Sequence, residues 1–221
     1  IVPGIAHHVT QRGNGRQQTF FSDDDYALYR NLLARHCAAA DVEIWAWCLM
    51  PNHVHLILVP SDADGIRRAL SKVHRTYAGV IHARQKKTGH FWQGRFGAVA
   101  LDEDHLLNAF RYVGLNPVRA KLVKAAAGWP WASTRAFVGG EEDGVTTKTP
   151  MLSRYPDMGA LFESPAIYDL QAFERLRRAE SIGRPLGGKA FLERITAEKG
   201  RPVAAQKRGP KSREDRETPL M

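Results

Sequence analysis

The chain has 221 residues, 43% of them hydrophobic, with 32 Lys+Arg against 23 Asp+Glu and a formal net charge of +9. That is apolar material for one sizeable core, and a positive balance that suits a polyanion such as nucleic acid. With only Cys37 and Cys48 a disulfide scaffold is excluded, and with no apolar run of about 18 residues and no leader pattern a cytoplasmic protein without a membrane span is expected.

Ile5 to Gln11 reads as a first strand. It runs into Arg12-Gly13-Asn14-Gly15-Arg16, a glycine-rich turn that can bring backbone and cations close to phosphate. Ser22 caps a helix reaching about Ala40, with Asp23, Asp24 and Asp25 at its positive end and Tyr26, Tyr29, Leu32, Leu33 and Cys37 at helical spacing. Val42 to Leu49 is the next strand. Simple alternation assigns Ile44, Ala46 and Cys48 to one face and Trp45, Trp47 and Leu49 to the other, the tryptophans being better read as core than as base-stacking platforms.

Met50-Pro51-Asn52 makes a tight connection to an antiparallel partner, His53 to Pro60. Side chains two apart share a strand face, so His53 and His55 stand together and Val54, Leu56 and Leu58 pack on the opposite side. Two neutral imidazoles on one face can grip a divalent cation; the spacing is equally that of two polar residues at a strand end.

Ala63 to about Lys87 is a long helix with Ile66, Leu70, Val73, Tyr77, Val80 and Ile81 as its apolar stripe, stopped by Gly89. His90-Phe91-Trp92-Gln93-Gly94-Arg95-Phe96 interleaves aromatics with a cation, the composition of a single-strand nucleic-acid surface, and leads into a fourth strand ending near Leu101. Asp102 caps a third helix on which Asn108, Tyr112 and Asn116, spaced four apart, share a face. Pro117 requires either that this helix stops at Asn116 or that Asn116 caps a new one. A tyrosine hydroxyl can serve as a covalent nucleophile when its high pKa is offset. Tyr77 is a rival, but its apolar stripe favours core.

The order strand-helix-strand-strand-helix-strand predicts an α+β, ferredoxin-like (split βαβ) fold: a four-stranded antiparallel sheet with helices on one face and an open face for a site. Beyond Pro117, Trp129-Pro130-Trp131 is expected to pack on the domain, Gly139 to Pro150 to form a loop, and Phe173 to Ala179 and Gly187 to Glu198 to form short helices. Residues 171–221 carry 13 Lys+Arg against 7 Asp+Glu, and Gln206 to Lys211 reads as a disordered basic tail.

Met50-Pro51-Asn52-His53-Val54-His55-Leu56 resembles the HUH signature of single-tyrosine transposases. Arg111-Tyr112-Val113-Gly114-Leu115-Asn116-Pro117-Val118-Arg119-Ala120 resembles their tyrosine helix, in the version of the REP-associated tyrosine transposases. His8-Val9-Thr10-Gln11-Arg12-Gly13-Asn14 and Gly89 to Phe96 are similar to further blocks of that family, in the same order. The resemblance implies a catalytic domain over 1–135 and a variable basic extension over 136–221. It implies a metal-dependent single-strand DNA endonuclease and strand transferase that works through a 5′-phosphotyrosine, with Tyr112 as nucleophile and His53, His55 and Asn116 as ligands of Mg²⁺ or Mn²⁺. Its partner would be single-stranded or hairpin DNA from palindromic repeats, bound by a monomer, with Arg12, Asn14, Arg16, Trp92, Arg95, Arg119 and Lys121 as contacts. The competing readings are a non-catalytic single-strand nucleic-acid-binding module on the same sheet, and a zinc hydrolase recruiting His7, His74, His90 or His105.

Overall fold

In a computed structural model, described for residues 1–163 and 170–203, four strands form one antiparallel sheet. β1 (His7–Arg12), β2 (Val42–Met50), β3 (His53–Pro60) and β4 (Gly97–Ala100) lie in the order β2-β3-β1-β4, the arrangement expected of a split βαβ chain. α1 (Asp23–Ala38) and α2 (Gly65–Gln85) are the crossover helices. They bury Tyr29, Leu33, Leu70, Val73 and Tyr77 against Val9, Leu49, Val54, Leu56 and Leu58 of the sheet. Asp25 ties the two helices together: it accepts the backbone N–H groups of Phe21 and Ser22 and pairs with Arg84 at 2.6 Å.

The second face of the sheet is covered too, contrary to the open face expected from the element order. α3 (Glu103–Arg119), α4 (Thr134–Val138), α5 (Thr149–Arg154), α6 (Met158–Glu163) and α7 (Leu170–Ile182) pack there, with α8 (Lys189–Lys199) beyond. Phe110, Tyr112, Val113, Phe137, Met151, Phe162 and Phe173 share one core with Ala46, Cys48, Ile57 and Val99. Residues on both sides of the expected 135/136 boundary therefore belong to a single hydrophobic cluster. The basic segment Gln206 to Lys211 lies outside the described residues. Among the described residues no helix is long and apolar enough to cross a membrane.

Three sequence expectations are corrected by the backbone. β2 carries a bulge: Ile44 pairs with Leu58 but Ala46 pairs with Ile57, so Trp45 is an extra residue. Ile44 consequently packs with Trp47 and Leu49, and Trp45 with Ala46 and Cys48, reversing the simple alternation at those two positions. α2 stops at Lys86, itself left-handed at φ 53°, three residues before Gly89. α3 neither ends nor restarts at Asn116 but runs through Pro117 to Arg119. Proline removes only one donor, in the last turn, and Leu122 and Ala120 close that turn on the Pro117 and Asn116 carbonyls.

Gly114 explains how α6 reaches α3, since a Cβ there would run into the Phe162 ring. The segment after Trp129 lies along the outer edge of β2, where Leu49 donates to the Trp131 carbonyl and Ser133 to that of Trp47. Trp131 also stacks on Tyr26. The exposed edge of β2 is thereby paired, as an edge strand requires.

Candidate active site

Register decides what the second face presents. Thr10 stands opposite His55, Arg12 opposite His53 and His8 opposite Ile57, so His8, Thr10, Arg12, His53 and His55 all point to the side covered by α3 and α7. His8 and His55 are buried; their rings lie stacked 5.2 Å apart, with His8 Nε2 3.1 Å from His55 Nδ1. His53 meets His55 edge-on at 4.8 Å. Its Nδ1 lies 2.6 Å from Oδ1 of Asn52, which can only accept, so the other ring nitrogen of His53 carries the free lone pair.

Tyr112 comes down onto this group from α3. Its ring is edge-on to His55 at 5.2 Å and to His8 at 5.8 Å, and only 5% of the residue is exposed. α7 closes the other side: Phe173 meets Tyr112 at 5.2 Å, and the Arg119 guanidinium lies over both rings at 4.9 and 5.0 Å. Burial and nearby Glu180 hold the Tyr112 hydroxyl above its ordinary pKa, while Arg119, which also hydrogen-bonds it, pulls the other way.

Glu180, on the last turn of α7, completes the cluster. Its Oε1 is 3.4 Å from His8 Nδ1, and donor atoms of His8, His55 and Glu180 all lie within 4.8 Å of one another. Gly97 makes room for it: a Cβ on Gly97 would press on the Glu180 carbonyl at 3.1 Å. Burial pushes Glu180 up to about 7 against the pull of Arg12 and Arg177. Burial likewise lowers His8 to about 3 and His53, aided by Arg12, to about 4, and holds His55 far below its usual range. The imidazoles are therefore neutral, the form that ligates metal.

Three buried polar atoms here, His55 Nε2, His8 Nδ1 and Glu180 Oε1, make no hydrogen bond. Buried polar atoms are ordinarily satisfied, so such a group is suited to a cation, and its nitrogen and carboxylate donors fit a divalent ion such as Mn²⁺. Outside lies a cleft of about 1020 Å³ whose lining includes His53, His55, Glu180, Arg12, Arg95 and Arg177.

The sequence-derived residues divide. His53, His55 and Tyr112 are brought together. Asn116 is buried one turn beyond Tyr112, with no hydrogen bond from its amide to either histidine. Arg12 and Arg95 line the cleft, Asn14 and Arg16 are exposed on a single turn of 3-10 helix, and Lys121 is exposed on the turn after α3. Trp92 faces inward, donating its indole N–H to the His74 carbonyl and packing on Tyr29 and Tyr77. Arg119 is engaged with Tyr112 itself. His8, Asn52 and Glu180 escaped the sequence reading. His8 and Asn52 sit inside quoted motif blocks and could have been flagged; Glu180, about 70 residues past Tyr112 and just beyond the short helix expected over Phe173 to Ala179, left no signal. The other histidines considered lie elsewhere: His7 bonds Ile5 and Val2, His74 bonds Tyr29, His105 bonds Asp102, and His90 is exposed.

A family model described as "Transposase IS200 like" matches residues 2–116. A Haemophilus influenzae protein described as a REP-associated tyrosine transposase is 29% identical over 117 residues, which cover 48% of this chain and 66% of the relative, just under two thirds of its length. A solved structure of a REP-associated tyrosine transposase bound to a REP hairpin superimposes with a TM-score of 0.55 at 21% identity, covering 62% of this chain and 81% of that one. At that identity the likeness speaks for the fold.

Proposed function

Because the chain belongs to the IS200-like transposase family, we propose that it is a REP-associated tyrosine transposase, a single-strand DNA nuclease and strand transferase acting on hairpin-forming repeats. The observation that carries this reading is Tyr112 held edge-on against His55, whose Nε2 is buried without a partner. A non-catalytic binding module on the same sheet would have no use for either.

Tyr112 is the nucleophile in this reading. It gives up its proton, its oxygen bonds to phosphorus, and the bond to the 3′ oxygen breaks. The 3′ oxygen leaves as a hydroxyl and a 5′-phosphotyrosine remains. A second 3′-hydroxyl reverses the step and joins the strands, with the number of phosphodiester bonds conserved. Arg119, against the Tyr112 ring, favours the phenolate and offers charge to the phosphate. His53 and His55 are the candidate ligands of Mg²⁺ or Mn²⁺, with the Asn116 amide as a third; the ion when bound supplies neutralisation of charge on the phosphate oxygens. Arg12, Arg95 and Arg177 along the cleft suit the DNA backbone, and Asn14, Arg16 and Lys121 extend that surface outward. The cis arrangement of Tyr112 and both histidines in one chain suits a monomer, working in the cytoplasm on chromosomal repeats.

The test is a denaturing gel with a hairpin oligonucleotide carrying a single-stranded flank, in Mn²⁺. The wild-type chain forms a covalent adduct, and Tyr112→Phe forms none while still binding the oligonucleotide. Cleavage persisting in Tyr112→Phe removes that residue from the mechanism.

A further inference from the structure

His8 does not line the cleft, and Glu180 lines it only half-buried, yet their polar atoms converge beside a candidate metal ligand. Hydrogen-bond direction assigns each a role. Glu180 Oε1 faces His8 Nδ1 at 3.4 Å, close to but not in hydrogen-bond geometry, and neither atom has a hydrogen-bond partner. In its ionised form the Glu180 carboxylate only accepts, and a slight approach to His8 would select the His8 tautomer protonated at Nδ1. His8 Nε2 is then an acceptor, and the group 3.1 Å away, His55 Nδ1, must carry the proton. That leaves the lone pair of His55 on Nε2, the buried atom without a partner.

We propose that Glu180 and His8 form a relay of positioning residues that holds His55 in the orientation and tautomer presenting Nε2 to the divalent ion. The proposal rests on the reading of His53 and His55 as metal ligands. It parallels the Asn52 contact on His53, so that each candidate ligand has an acceptor behind its Nδ1. Direct coordination by His8 is disfavoured by the same geometry. Its Nε2 is bonded to His55 and its Nδ1 is turned toward Glu180, and ligation through Nε2 would break the 3.1 Å contact. The relay also gives the segment beyond residue 135 a task. α7 brings Glu180 in over Gly97, and its exit is fastened where Leu186 donates to the Ala100 carbonyl and Gly188 to the Asp102 carboxylate.

The test uses the full chain and Mn²⁺ alone, with free ion followed by electron paramagnetic resonance and folding checked by circular dichroism. His8→Leu and Glu180→Leu each weaken Mn²⁺ binding by about 10- to 100-fold, the usual effect of losing a partner behind a ligand. The double variant is no weaker than His8→Leu, because Glu180 acts only through His8. His8→Gln, which keeps an acceptor for His55, recovers most of the affinity. The number of imidazole nitrogens coupled to Mn²⁺ is the same in wild type and His8→Leu. Loss of one coupled nitrogen in His8→Leu makes His8 a ligand and overturns the relay, as does an additive loss in the double variant. Unchanged affinity in folded His8→Leu also overturns it. Unchanged affinity in His53→Ala instead overturns the metal reading on which the relay rests.

Discussion

The two faces of the sheet are built from the same strands and are both covered by helices, yet they treat polar groups in different ways. Under α1 and α2 the large buried polar side chains of the core are answered, Arg30 Nε on α1 being left without a bond: Tyr77 donates to the Thr19 carbonyl at 2.7 Å, and Tyr29 and His74 bond each other at 3.0 Å. Under α3 and α7, His8, His55 and Glu180 converge with three atoms unanswered. Leaving a buried polar atom without a partner costs roughly 1–3 kcal/mol, so three such atoms converging at one point set this cluster apart. The difference separates Tyr77, a structural tyrosine inside a satisfied network, from Tyr112, a tyrosine beside converging donor atoms. Burial alone would not have told them apart.

Substitutions on the two faces should therefore fail in different ways. The largest effect is expected at Tyr112, where Phe abolishes the covalent adduct yet leaves melting temperature close to wild type. A large fall in melting temperature with adduct retained would dissolve the contrast. His55→Ala comes next: metal-dependent cleavage is lost, scored by nicking of a hairpin oligonucleotide across a Mn²⁺ series. Leu56, next to His55 but pointing the other way, should behave oppositely. Leu56→Ala opens a cavity in the α1/α2 core and costs about 2–5 kcal/mol by urea denaturation, with cleavage per folded molecule unchanged. Tyr77→Phe leaves the Thr19 carbonyl unanswered and costs roughly 1–3 kcal/mol, again without loss of adduct; an adduct-free Tyr77→Phe would reopen its rivalry with Tyr112.

The smallest effect is one of pH and belongs to the dry face. Burial alone would raise the Asp25 carboxyl, but Arg84 and the Phe21 and Ser22 amides outweigh it and hold the pKa below the ordinary value. A depressed folded pKa stabilises fully above the unfolded value of roughly 3.9, and that stabilisation is lost as pH falls through the folded value. Wild type should therefore lose more stability between pH 6 and pH 3 than Asp25→Asn. Equal losses in urea midpoint would show that Asp25 is not what fastens α1 to α2.

Much of this was legible in the residues. Strand alternation put His53 and His55 on one side and Leu56 on the other because a two-residue period needs no knowledge of the partner strand. Helical spacing put Tyr112 and Asn116 on one face, and the motif blocks joined them into one site. What failed, failed where a second element intervened. Trp45 changed sides because a bulge adds a residue that alternation cannot count. α3 ran through Pro117 because packing against α6 and the sheet holds a turn that local preference would end. Trp92, in a sequence rich in aromatics and cations, turned inward because the His74 carbonyl was there to accept its N–H.

The sequence by itself determined the element order, the pair of histidines, the tyrosine and the basic balance, all of which depend on spacing and composition along the chain. Only the tertiary structure decided that α3 docks Tyr112 over His55, that helices cover the second sheet face, and that His8 and Glu180 stand beside His55. Those contacts join residues 47 to 172 positions apart. No local period encodes them; they follow from strand register and from which helix the sheet's apolar surface leaves room to accept.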